Sequence, residues 1–125
     1  MGNDLLTNET IENFLEDVNP QDLKQSDLAC LNDQNGNRIY CFVDEISREF
    51  GSVPIAFTTR YSLVPGTSLI DRGAGPIPMD RNHSMYPHKY TLRRVTEPQF
   101  VAKLISFMET LITVQGDFGY VDYKL

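Results

Sequence analysis

Asp80, His83 and His88 lie close together in the stretch "GAGPIPMDRNHSMYPHKY", Gly73 to Tyr90. A carboxylate and two imidazoles are the groups that bind a divalent metal or relay a proton near neutral pH. Their spacing matches no metal signature, and two loop histidines need a rigid backbone, a third ligand and outer partners before they hold an ion. The reading is therefore of ordinary loop histidines, with no metal site and no cofactor.

Other reactive residues carry no stronger pattern. Cys30 and Cys41 have no zinc-type partners at the usual spacings, and they read as free buried thiols. "DRGAGP" offers Gly73 and Gly75, but Pro76 stands where a phosphate loop would open a helix. No serine sits in a nucleophile elbow, and no cysteine is matched to a particular histidine. These absences argue against an enzyme and against a small-molecule substrate.

Charge is distributed unevenly. The chain of 125 residues has a net charge of -6, yet residues 1–50 hold eleven acids and three bases, a net of -8, whereas residues 51–125 hold six acids and eight bases, a net of +2. Such asymmetry can draw subunits together, or it can be a solvated acidic face. Between residues 60 and 94, six bases (Arg60, Arg72, Arg81, Lys89, Arg93 and Arg94) outnumber Asp71 and Asp80, with Tyr61, Tyr86 and Tyr90 interleaved. That strip could contact phosphates, but an acidic chain repels a polyanion at long range, so protein rather than nucleic acid is the expected partner.

No apolar run approaches the roughly 18 residues that cross a bilayer, and "MGNDLLTNET" lacks the basic and apolar regions of a secretory signal. Leu6 stands where myristoylation needs Ser or Thr. The sequons at Asn8 and Asn82 would matter only in a secreted protein. The expectation is a chain without membrane contact, residing in a virion or the host cytoplasm.

The elements that must position these groups are legible in part. "TNETIENFLEDV" spaces Ile11, Phe14, Leu15 and Val18 as a short amphipathic helix capped by Thr7 or Asn8, with Asn19-Pro20 closing it and starting a second turn through Gln25. Asn35-Gly36 predicts a two-residue hairpin that sets Asp33 opposite Arg38, Leu31 opposite Tyr40 and Cys30 opposite Cys41. "DEISREFG" reads as a helical turn closed by Gly51; "VPIAFTTRYSLV" and "KYTLRRV" read as strands. Thr96, Pro98 and Gln99 open the strongest helix, whose apolar stripe runs from Phe100 through Leu104 and Met108 to Ile112, with Gly116 placed to end it. "GYVDYKL" alternates as a further edge strand.

The expected architecture is a single α+β domain over residues 1–125. An antiparallel sheet of four or five strands packs on the C-terminal amphipathic helix, with a short N-terminal helix and a long irregular arm at about 65–88. A structureless segment of that length is usually functional. The expected function is accordingly a non-enzymatic structural subunit of a large assembly, a virion or phage-tail-like component, whose arm contacts neighbouring subunits or copies of itself. Ile77, Met79, Met85 and Tyr86 would be its apolar contacts, with Arg72 and Arg81 as ionic anchors, and deleting residues 73–86 would spare the fold. The alternative is a small acidic inhibitor or immunity-type protein, presenting Glu9, Glu12, Glu16 and Asp17 to a basic surface.

Overall fold

The computed structural model describes residues 11–48, 53–63 and 70–117. Among the described residues six strands, β1 (Leu15–Asp17), β2 (Leu28–Asn32), β3 (Arg38–Ser47), β4 (Ile55–Leu63), β5 (Ile70–Pro78) and β6 (Thr91–Val95), precede the helix α1 (Pro98–Asp117). The fold is α+β: one antiparallel sheet in the order β1-β6-β2-β3-β4-β5, packed with the C-terminal helix. Among the described residues no helix is long and apolar enough to cross a membrane.

The sheet has more strands than expected because two segments without strand-like sequence join it. Leu15–Asp17 pairs with β6, with Leu15 opposite Val95, Glu16 opposite Arg94 and Asp17 opposite Arg93. Only Ile11 and Glu12 of the expected helical span are helical among the described residues. The opposed charges supply the reason: pairing of acid with base across two strands replaces the later helical turns. Ile70–Pro78, expected as irregular, pairs with β4 along nine residues. Met79 donates its N–H to the Pro54 carbonyl at 2.9 Å. Alternation from that bond puts the backbone groups of Ile77, Gly75, Gly73 and Asp71 toward β4, and those of Pro76 and Pro78 toward the open edge, where a missing donor is harmless. Prolines on that edge also block pairing with a stray strand.

The hairpin forms, but one residue out of the expected register. Leu31 faces Ile39, Cys30 faces Tyr40 and Ala29 faces Cys41. Asp33 donates its N–H to the Asn37 carbonyl at 3.0 Å, Gly36 donates to the Asp33 carbonyl at 3.3 Å, and Gly36 takes φ +88. This is a three-residue loop ending in a left-handed glycine. The Asp33 carboxylate accepts the N–H groups of Asn35 and Asn37 and the Asn37 amide, which favours the longer loop over the two-residue turn. Asp44–Ser47, expected as helical, continues β3 with a bulge between Val43 and Glu45; Gly51 lies outside the described residues. The Pro20–Asp22 turn forms as a 3-10 helix with Asn19 before it. α1 starts at Pro98, with Val101 donating to the Glu97 carbonyl at 3.0 Å, and it runs one residue past Gly116. "GYVDYKL", residues 119–125, lies outside the described residues.

Both faces of the sheet are buried. On the helix face, Ile11, Leu28, Tyr61, Ile70 and Val95 pack with Phe100, Leu104 and Met108 of α1, and the Phe14 and Phe100 rings stack at 4.5 Å. On the opposite face, Ala29, Leu31, Cys41, Val43, Ala56, Ile77 and Leu92 are covered by Val18, Leu23, Met79 and Tyr86. Among the described residues the turns after β5 and the segment between β1 and β2, which includes the Pro20–Asp22 3-10 turn, do this covering, and no α-helix does. The register places Cys30 and Cys41 on opposite faces, too far apart in direction for a disulfide, and both are free and buried.

Candidate interaction site

The segment from Met79 to Tyr90 is a chain of turns closed by its own hydrogen bonds. Asp80 accepts from Asn82 N–H at its Oδ1 (2.9 Å) and from His83 N–H at its carbonyl (3.1 Å). His83 Nδ1 accepts the Met85 N–H at 3.0 Å, and the His83 carbonyl accepts the Tyr86 N–H at 3.0 Å. His88 N–H reaches the Tyr86 carbonyl at 2.8 Å, Tyr90 N–H reaches Pro87 at 3.2 Å, and the Tyr86 and His88 rings meet edge to face at 5.1 Å. Asp and His side chains that bond nearby backbone donors are what let a Pro-rich stretch hold a fixed shape.

The expected contact residues separate into two groups. Ile77 is fully buried in β5, and Met79 and Tyr86 (6% exposed) are packed into the sheet, so these three belong to the chain's own core and not to a projecting arm. Deleting residues 73–86 would therefore remove an edge strand and three core side chains. Burial raises the Tyr86 phenol pKa, with the Arg81 charge opposing. Between the two anchors the turns expose Arg81, whose Nη2 lies 3.5 Å from Asn19 Oδ1, and Met85, which is 70% exposed. Arg72 lies on the other face, bound to Glu109 of α1 at 2.5 Å. The six residues thus do not form one patch; Arg81 and Met85 alone share an exposed turn. Residues 65–69 of the expected arm lie outside the described residues.

His83 and His88 serve these turns. Among the described residues, no group of three or more His, Cys, Asp or Glu is placed to hold a metal ion. Gly75 has a packing role: a Cβ there would come within 2.5 Å of the Arg60 Nε, whose guanidinium crosses β5 to donate to the Pro76 carbonyl at 3.1 Å.

Three acids of the first half, Glu12, Glu16 and Asp27, pair with Arg93 and Arg94 of the second. On the helix face one row of facing residues crosses all six strands: Asp17, Arg93, Cys30, Tyr40, Tyr61 and Arg72. A carboxylate closes each end. Glu109 accepts from Tyr61 Oη at 2.6 Å and from Arg72. Glu12 accepts from Arg93 at 2.7 and 3.0 Å and from Arg38. On the opposite face Arg94 bonds Glu16 at 2.9 Å and Asp27 at 3.3 Å. The Arg93 hydrogen bond is the main cause that holds the Glu12 carboxyl below its ordinary pKa, against some desolvation. Burial raises Glu109, but the bonds from Tyr61 and Arg72 outweigh it and the pKa falls. Burial pushes Tyr40 up to about 12 and each cysteine up to about 11. Glu12 and Glu16 are thus already partnered, and Glu9 lies outside the described residues. Sequence reasoning missed the Glu12–Arg93 clamp; the opposite charges of the two halves were its only signal.

Comparison of the chain with protein-family models, with curated proteins and with solved structures gives no match in any of the three.

Proposed function

We propose that this chain is a non-enzymatic subunit of a multi-protein assembly, and that it docks on a neighbouring subunit through the turns between Asp80 and His88. The observation that carries this reading is Met85: a flexible apolar side chain, 70% exposed, at the summit of a turn whose backbone is fixed by Asp80 and His83 and whose two ends are anchored in the core by Met79 and Tyr86. A preformed turn loses little conformational entropy on binding, and methionine adapts to an apolar pocket. A virion or phage-tail-like particle is the setting proposed, by analogy with small α+β subunits of such particles.

With Glu12, Glu16, Arg72, Arg93 and Arg94 engaged within the chain, the proposed contact is apolar, flanked by Arg81, and depends little on salt. Met85→Asp tests it. The variant keeps the wild-type melting temperature, since the side chain is mostly exposed, and it is lost from the particle or complex isolated from the native source. Normal incorporation of Met85→Asp would refute the docking site.

A further inference from the structure

The clamp at Glu12 has an unequal construction. Its cations are the sunken, fixed members: the Arg38 and Arg93 side chains are 15% and 21% exposed, whereas Glu12 is 45% exposed. Arg38 stands on β3 and Arg93 on β6, with Asn32 of β2 between them, opposite both Arg38 and Thr91. Tyr40 Oη lies 3.2 Å from Arg38 Nη1 and its ring lies under that guanidinium, while Asn32 Oδ1 accepts from Arg93 at 2.7 Å and from the Cys30 thiol at 3.4 Å. Each fork thus has a second partner on the sheet besides Glu12. Glu12 takes only the terminal nitrogens of Arg93, and Arg93 Nε is buried with no hydrogen-bond partner among the described residues. Asp17, opposite Arg93, contributes charge at longer range. The Glu12 backbone is held by buried Ile11 and by the Phe14–Phe100 stack, while its side chain is 45% exposed.

Two converging arginine forks suit an anion with more oxygens than a carboxylate. We propose that Arg38, Arg93 and Asn32 form a binding site for a phosphate group, with the Glu12 side chain as a built-in competitor that fills the site in the free chain. A phosphate would displace one carboxylate side chain and leave the fold in place.

Inorganic phosphate titrated into the full chain at constant ionic strength, followed by the arginine Nε–H signals in nitrogen-15 NMR, provides the test. Glu12→Gln removes the competitor's charge and is expected to tighten phosphate binding about fivefold over wild type, with the Arg93 signal moving most. Acetate should bind Glu12→Gln more weakly than phosphate does. Adding Arg93→Gln should abolish binding; Arg93→Lys, which keeps the cation and the fold but loses the fork, should weaken it at least fivefold. Equal affinity of wild type and Glu12→Gln, equal affinity for acetate and phosphate, or indifference to Arg93→Lys would each overturn the assignment.

Discussion

The two faces of the sheet are buried equally well by unlike means. α1 covers one with side chains at helical spacing, Phe100, Leu104 and Met108. The other is covered by turns, with Met79 and Tyr86 reaching the sheet from a segment that has no period and Val18 and Leu23 from another. Burial of apolar area stabilises in either case, since the hydrophobic effect does not depend on direction. The difference lies in what fixes the backbone: repeated helical bonds on one side, and the local bonds of Asp80, His83 and Tyr86 on the other.

If the two covers are equivalent, their central side chains cost alike to remove. Tyr86→Ala is expected to destabilise by about 3–5 kcal/mol and Leu104→Ala by about 2–5 kcal/mol, measured by urea unfolding. A loss under about 0.5 kcal/mol for Tyr86→Ala would mean that the turns are not core.

Cys30 and Cys41 report on the two faces separately. Both thiols are buried and raised to about 11, so at pH 7.5 each should react with iodoacetamide roughly 100-fold more slowly or more than in urea-unfolded protein. Mass-resolved labelling of the Cys30→Ser and Cys41→Ser variants gives one rate per face. Fast labelling of Cys41 alone would show that the turn cover opens by itself.

The smallest effect separates the faces by charge. Glu12 and Glu109, both on the helix face, have folded pKa values below their unfolded ones, so their contribution is present above the unfolded glutamate range and is lost as pH falls through the folded values. Both are well exposed, and screening limits each to about 1 kcal/mol or less. Stability measured from pH 7 down to pH 3 should fall less steeply in the Glu12→Gln and Glu109→Gln double variant than in wild type. An unchanged slope would remove these clamps from the account.

The sequence made α1, β4 and β6 legible because their periods and flanking residues agree. Asn35-Gly36 located the hairpin but suits both a two- and a three-residue loop; the Asp33 bonds that decide between them lie within the loop itself, to Asn35 and Asn37, and shift every facing pair by one. Ile11, Phe14, Leu15 and Val18 are all at least partly buried, as their spacing implied, yet a strand turns Val18 to the face opposite the other three. β5 was illegible because Gly and Pro lack strand propensity; pairing with β4 alone makes it a strand. The Glu12 clamp joins residues 81 apart, a separation that no local pattern spans. Of the expected contacts, Arg81 and Met85 keep exposed positions, while Ile77, Met79 and Tyr86 show that apolar residues in an aperiodic stretch can be core.

Native-state amide hydrogen exchange at Met79, Met85, Tyr86 and Tyr90 tests most directly whether the segment after β5 is a fixed cover. The account predicts that Met79 and Tyr86 are protected nearly as well as the Leu104 amide of α1, with Met85 slowed by its bond to His83. Exchange of Met79 and Tyr86 at the rate of an unstructured peptide, with Leu104 still protected, would contradict it and restore a free arm.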